Sequence, residues 1–326
     1  MKLLIFEYAT ASGIEDPEIF LEGRSMLEAL LADFRDFEIE FLLSEKFADI
    51  EIQSSCRPTI ITGSLREWLR ANLHRFDACI FIAAEEDMEL YKLTELVEDS
   101  GVLLIGSGSE AVRICSDKRM TYRALRGVVP LIRTYERDDL EELPSRVVIK
   151  PADGVACQGI RILEPGNLPE IPENMIIQEF VEGESVSVSL LSDGRRALPM
   201  SLNRQNILIR GDSLEYNGGV TPVDHRMRDE AFRVARRAVE SIEGLRGYVG
   251  VDMILADKPY VVEINSRITT PYIGLRRISE ENLGHMVLQS VMGELPERVK
   301  FNGTAHFRKG SSGMVVDIRR GAEAGN

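Results

Sequence analysis

No stretch of this 326-residue chain stays apolar long enough to cross a bilayer, which takes a run of ~18 residues. The apolar part of the opening MKLLIFEY is short and meets Glu7, so it is read as a first strand rather than a signal peptide. Cysteine is scarce. Cys56, Cys79, Cys115 and Cys157 stand far apart, with no CxxC pair and no Cys/His cluster. That excludes a zinc-finger site and a disulfide framework, and it fits buried free thiols in a reducing, cytoplasmic setting. Basic charge is in deficit: 39 Lys and Arg stand against 53 Asp and Glu, a net charge of −14. Phosphate contacts need a basic surface, so a general nucleic-acid binder is disfavoured, although a local basic pocket is compatible with the composition. His74, His225, His285 and His306 are scattered and read as structural or exposed. The chain has no internal repeats and no low-complexity block.

What is present suits a globular protein of two or three domains, with 44% hydrophobic and 28% charged residues. Lys2 to Phe6 reads as a strand that ends in a loop, EYATASG. Asp16-Pro17 marks a helix start, with Asp16 as N-cap and Pro17 at N1, and the helix is expected to run to about Phe34. Further short strands are expected at Glu38 to Leu43, Thr59 to Thr62, Asp77 to Ile82 and Val102 to Ile105. Helices near Ser64 to Leu73 and Leu90 to Asp99 separate some of them. Strands alternating with helices predict a parallel α/β sheet over residues 1–106. A second set is expected at Val147 to Lys150, Gly159 to Leu163, Met175 to Glu179 and Ser185 to Leu191. A third covers Tyr248 to Leu255 and Tyr260 to Ile264. Their close succession predicts antiparallel pairing. The tail beyond about Gly310, ending in GAEAGN, is expected to fray.

The stretch YVVEINSR, residues 260–267, is a strand with Glu263, Asn265 and Arg267 at alternate positions, hence on one face. YVGVDMIL precedes it across Ala256-Asp257-Lys258-Pro259. A two-residue turn at Asp257-Lys258 would set Leu255 opposite Tyr260, Met253 opposite Val262 and Asp252 opposite Glu263. Like charges directly opposed are destabilising, so a cation belongs between them. Two carboxylates and the Asn265 amide oxygen make a hard oxygen set suited to Mg²⁺ or Mn²⁺. Arg267 extends the row toward a phosphate or carboxylate. A solvent-facing antiparallel strand would show the same alternation.

RVVIKPADGVACQGIRIL places Lys150 at a strand end, before a loop with Gly154 and Gly159 whose amides could fold over phosphates. It is not a P-loop, because GxxxxGK[ST] is absent. A surface hairpin would use the same residues. In MIIQEFVEGES a strand runs into Gln178-Glu179-Phe180-Val181. Where such a strand leaves its sheet, its backbone could pair with an adenine edge and Glu184 could accept from ribose hydroxyls. An ordinary strand end with a glycine turn would read the same way.

Lys118 in SDKRM, Lys150 before the glycine loop, QEFVEGE, Asp252 and the Glu263/Asn265 pair occur in an order and spacing that resemble the ATP-grasp superfamily over most of the chain. The resemblance implies an N-terminal α/β pre-ATP-grasp domain (1–106) and a central lobe with the glycine loop (107–184). A C-terminal lobe with the metal site (185–326) would complete it, the two lobes clamping ATP. It implies that Lys118 and Lys150, with Gly154 and Gly159, hold phosphates. Gln178, Glu179 and Val181 would line adenine, and Glu184 the ribose. Many members carry that glutamate one place later, where this chain has Ser185. Asp252, Glu263 and Asn265 would bind metal, two ions per site. The implied chemistry is ligation of a carboxylate to an amine through an acyl phosphate, with Arg267 stabilising the anion.

Finer features, FEYATASG, SLNRQNI, YNGGVTP and EINSRITTPYIGL, resemble the archaeal tyramine–glutamate ligase family of methanofuran biosynthesis. An anionic amino acid needs cations and donors, for which Arg204, Arg267, Thr269 and Thr270 are candidates. Tyr272 or Tyr216 could stack on a phenol. Amides at Asn217, Gly218 and Gly219 could approach substrate, unless NGG is a turn and Thr269-Thr270-Pro271 a loop. The partners so implied are small molecules, with no nucleic acid and no membrane; a homodimer is left open. Three rival readings stand beside this one: a ligase for another amino acid and amine, a nucleotide-binding regulator without catalysis, and a dinucleotide-binding oxidoreductase. The last rests on IGSGSEA at 105–111, which lies after several strands rather than the first and lacks the acidic strand end expected downstream.

Overall fold

The computed structural model describes residues 1–135, 143–154, 159–164, 166, 170–311 and 313–320. Strands β1 (Lys2–Glu7), β2 (Glu38–Ser44), β3 (Pro58–Ile61), β4 (Ala78–Ile82) and β5 (Leu103–Leu104) form a parallel sheet in the order β3-β2-β1-β4-β5. Leu3 to Phe6 are fully buried at its centre, as a strand covered on both faces requires. The helices of this part are α1 (Tyr8–Ser12), α2 (Pro17–Asp33), α3 (Leu65–Asn72) and α4 (Glu89–Asp99). The start of α2 is as the sequence predicts: Asp16 accepts from the Glu18 and Ile19 amides and Pro17 opens the helix. The expected EYATASG loop is instead α1. The buried Glu7 carboxylate accepts from the Ala9 and Thr10 amides at 2.9 and 2.8 Å, and Gly13 ends the turn in a left-handed conformation.

Helices α5 (Ser109–Ser116) and α6 (Lys118–Leu125) lead into an antiparallel sheet. Its strands are β6 (Thr134–Tyr135), β7 (Val147–Pro151), β8 (Arg161–Leu163), β9 (Met175–Glu179), β10 (Glu184–Asp193), β11 (Ala197–Arg210), β12 (Ser213–Thr221), β13 (Arg246–Leu255), β14 (Pro259–Asn265), β15 (Thr304–Gly310) and β16 (Gly313–Arg319). The main path runs β14-β13-β10-β11-β12-β8-β7-β9-β6, and β12 also pairs with β15. Between β12 and β8 the register is a single pair, Ser213 with Arg161, so β6–β9 and β10–β14 are two patches joined at one point. Helices α7 (Arg228–Glu240), α8 (Pro271–Ile278) and α9 (Leu283–Val291) complete the chain. The tail expected to fray does not do so up to Arg319, because β16 pairs with β15 from Gly313 to Arg319; GAEAGN lies outside the described residues.

Buried polar contacts tie α8 to the first sheet's helices. The Tyr272 hydroxyl donates to Asp33, Arg276 donates to the same carboxylate at 2.6 and 2.8 Å, and Asn282 donates to the Asp33 carbonyl at 2.7 Å. IGSGSEA carries no anion site. The Ser109 amide at the start of α5 is taken by Glu98 Oε1 at 3.1 Å, and the Gly108 amide by the Gly244 carbonyl at 2.9 Å.

Candidate active site

The hairpin that carries the carboxylates forms, but its turn differs from expectation. Leu255 pairs with Pro259, Ile254 with Tyr260 and Met253 with Val261, one residue off the expected register. A β-bulge then leaves Val262 as an extra residue on β14 and restores Asp252 opposite Glu263. The important pair is therefore reached through a longer turn and a compensating bulge.

On this face the groups converge. Asn265 donates its amide to Asp252 at 3.3 Å, and Gln205 of β11 donates to the same carboxylate at 3.1 Å. Lys118, at the first turn of α6, is 3.3 Å from Glu263 and donates to the Gly154 carbonyl at 2.7 Å. Its own amide donates to the Ala152 carbonyl, so the helix start and the exit of β7 are fixed to each other. Lys150, at the end of β7, is buried. Burial and the neighbouring Glu263 push the Asp252 carboxyl up to about 8. Burial also works against ionised Glu263, but Lys118 and Lys150 outweigh it and hold that carboxyl below its usual range. Two half-buried carboxylates thus meet, with the two lysines acting on Glu263 and the more weakly felt Arg267 on Asp252. Together with an amide, this oxygen set fits a divalent cation that shares its remaining positions with phosphate or water. No cluster of three or more His, Cys, Asp or Glu exists among the described residues to hold an ion by protein groups alone.

Arg267 makes a bidentate pair with Glu85, Nε to Oε1 at 2.9 Å and Nη2 to Oε2 at 2.8 Å. Burial would lower the guanidinium pKa, but Glu85 outweighs it and the group stays charged. The partner comes from the exit of β4, 182 residues earlier. Thr270 donates to Glu22 of α2 at 2.5 Å, and Thr269 meets the Tyr248 hydroxyl at 3.2 Å.

These groups line a cleft of about 510 Å³ between the first sheet and both patches of the second. Lys118, Lys150, Gly154, Asp252, Glu263, Asn265, Arg267, Thr269 and Thr270 all lie on its wall, as does Tyr216. Several expected residues lie elsewhere. Gln178 is buried and donates to Thr134 at 2.9 Å, while the Glu179 and Phe180 amides are bonded to the Arg133 and Arg146 carbonyls. Only Val181 stands beyond that paired run. Glu184 is exposed and 3.6 Å from His225. Gly159 sits in a left-handed conformation against Pro151, and Val155 to Gln158, the middle of the glycine loop with Cys157, lie outside the described residues.

Among the substrate candidates, Arg204 is exposed because β11 alternates: Asn203 and Gln205 point inward and Arg204 outward. The Asn217-Gly218-Gly219 stretch is neither turn nor substrate cradle. It is strand β12 squeezed between neighbours, where a Cβ on Gly218 would meet the Phe307 carbonyl at 2.1 Å and one on Gly219 the Arg204 carbonyl at 2.2 Å. Tyr272 is fully buried against Asp33 and cannot stack on a ligand. The sequence reading missed Glu7, Glu22, Glu85 and Gln205, all on the cleft wall. Glu7 ends β1 and Glu85 follows β4, at the carboxyl ends of parallel strands, where open α/β sheets bind ligands, and that signal was available. Gln205 sits in the quoted SLNRQNI, one place from the arginine singled out there.

A family profile described as ATP-grasp domain matches residues 115–271. A tyramine–L-glutamate ligase of Methanocaldococcus fervens is 37% identical over 303 residues, 90% of this chain and 94% of that protein. Its counterpart in Methanocaldococcus jannaschii is 35% identical over 301 residues, 90% of each chain. A solved structure, described as an ATP-grasp superfamily protein from Archaeoglobus fulgidus, superimposes with a TM-score of 0.75 at 29% identity, covering 98% of this chain and 99% of that one.

Proposed function

The chain belongs to the ATP-grasp family of carboxylate–amine ligases that includes the archaeal tyramine–L-glutamate ligases, and from that membership we propose that it joins the γ-carboxylate of L-glutamate to the amine of tyramine. A glutamate oxygen attacks the γ-phosphorus of ATP, ADP leaves, and the amine nitrogen then displaces phosphate from the acyl phosphate as its surplus proton passes to solvent. The observation that carries this reading is the opposition of Asp252 and Glu263 beside Lys118 and Lys150 in one cleft.

Asp252, Glu263 and Asn265 are the groups that would hold Mg²⁺ or Mn²⁺, as one ion or two. Such an ion offsets phosphate charge during transfer. Lys118 and Lys150 bind and orient the phosphates, and Gly154 steadies Lys118 through its carbonyl. Glu263, 3.3 Å from Lys118, neutralises it. Nucleotide would draw the lysine toward phosphate and free the carboxylate. Adenine would lie beyond the paired run of β9, at Val181. Glu22 gives the first sheet's wall an anionic group suited to an ammonium, while Ile14, Ile19 and Met26 offer apolar surface for a ring. Tyr216 and Tyr8, both on the cleft wall, are the candidates to stack on a phenol ring.

The reading is tested by ADP release with Mg²⁺ or Mn²⁺, ATP, L-glutamate and tyramine, omitting one substrate at a time and weighing the product. ADP that requires both substrates, with the mass of γ-glutamyltyramine, is expected. ADP with glutamate and a different amine would move the chain to a neighbouring ligase. Lys150→Ala should raise the KM for ATP by roughly 10- to 100-fold, the worth of one charge-assisted bond to phosphate. An unchanged ATP dependence would remove Lys150 from that role.

A further inference from the structure

Arg267 is not free to swing in the cleft. A guanidinium has five N–H donors in a fixed plane. Here Nε and Nη2 each give one to Glu85, at 2.9 and 2.8 Å, and Nη1 gives one to the Ile268 carbonyl at 3.2 Å. Among the described residues two donors remain, one on each Nη atom. Both side chains are largely withdrawn from water, at 17% exposure for Arg267 and 7% for Glu85. A bidentate pair fixes both distance and plane. The carboxylate belongs to the exit of β4 in the parallel sheet, whereas the arginine follows directly on the metal-bearing strand β14. The Thr270 to Glu22 bond pins the next part of the same segment to α2.

We infer that Glu85 is a positioning residue, which holds the Arg267 guanidinium so that its two remaining Nη donors face the anion formed on the transferred phosphoryl and acyl groups. The identity of that anion rests on the proposed ligase reaction; the positioning itself does not. Glu85 need not touch substrate. It keeps Arg267 from folding back onto Glu263, the carboxylate it would otherwise neutralise, and it makes the first sheet a necessary part of the catalytic centre.

The test is a cycle of wild type, Glu85→Gln, Arg267→Ala and the double variant. Glu85→Gln should lower kcat by about 100-fold, as displacement of a positioned group does, with the KM for ATP unchanged. In the Arg267→Ala background the same change should cost nothing further, because Glu85 acts through Arg267. Multiplying losses would overturn the inference and assign Glu85 a contact of its own with substrate. Glu85→Asp, which keeps a carboxylate, should fall between wild type and Gln in kcat while melting as wild type does. A Glu85→Asp rate no better than that of Gln, in a protein that melts normally, would also overturn it. A second readout uses neither amino acid nor amine. Glu85→Gln should bind orthovanadate in the presence of MgADP roughly tenfold more weakly, about one charge-assisted hydrogen bond, while MgADP alone binds as to wild type. Equal vanadate affinity would overturn the inference. A wild type inactive toward glutamate and tyramine, with the vanadate difference intact, would overturn the substrate assignment alone.

Discussion

Glu263→Ala is expected to lower ADP release by at least about 10³-fold at saturating substrates while leaving the chain folded. Removing one preorganised electrostatic group from an active site costs about 10²–10³-fold. Glu263 is more than one such group, because it opposes Asp252 across the hairpin and also faces Lys118 at 3.3 Å. Its loss leaves the divalent ion a single protein carboxylate and takes away the one that Lys118 faces, while Lys118 keeps its bond to the Gly154 carbonyl at 2.7 Å. The fold should tolerate the change, since the variant also removes a repulsion. Burial and Glu263 together push the Asp252 carboxyl up to about 8, and without Glu263 it should relax downward. Glu263→Gln, equal in size and uncharged, should fail as badly. The checks are ADP release, its dependence on added Mg²⁺ or Mn²⁺, and a melting curve. Partial recovery at high metal would mark a weakened ion site. A variant within tenfold of wild type would refute the metal assignment.

The carboxylate hairpin was legible in the sequence because two strong patterns meet there: strand alternation and a short, punctuated connection. The register of the turn was not, since a one-residue turn shift and a one-residue bulge leave the same residues opposed. The parallel sheet was legible from its apolar runs, and the start of α2 from Asp16-Pro17. Helix α1 was hidden because its cap is a buried glutamate, Glu7, which by composition reads as the polar end of a strand. Arg204, the glycine pair and Tyr272 were misplaced for one shared reason. Residue type advertises a ligand contact, but β11's alternation, the carbonyls pressed against Gly218 and Gly219, and Asp33 at the Tyr272 hydroxyl are tertiary facts. The place of Glu85 at a strand exit was legible, but its pairing with Arg267 was not, because the two lie 182 residues apart and no local pattern encodes that separation.

Arg267→Ala should differ from Glu263→Ala in a way that separates chemistry from architecture. An arginine that stabilises a transferring phosphoryl group is worth about 10³–10⁵-fold in kcat, so turnover should fall at least as far as in the metal variant. Unlike Glu263, though, Arg267 is the only cation in bonding contact with a nearly buried carboxylate, Glu85, among the bonds of the described residues. Removing one partner of such a pair strands the other, at a cost of about 3–5 kcal/mol. A domain is commonly stable by about 5–15 kcal/mol, so the variant should remain folded yet melt lower, which Glu263→Ala should not do. Arg267→Lys divides the two contributions. It keeps a positive charge for Glu85 and should recover much of the melting temperature. One ammonium cannot reproduce two coplanar bonds to Glu85 and still present two donors to an anion, so kcat should stay low. If Arg267 were only a strut between the first sheet and β14, turnover measured well below the melting temperature would survive in Arg267→Ala and recover fully in Arg267→Lys. Loss of turnover in both, with stability restored only by lysine, is the outcome that the fork geometry requires.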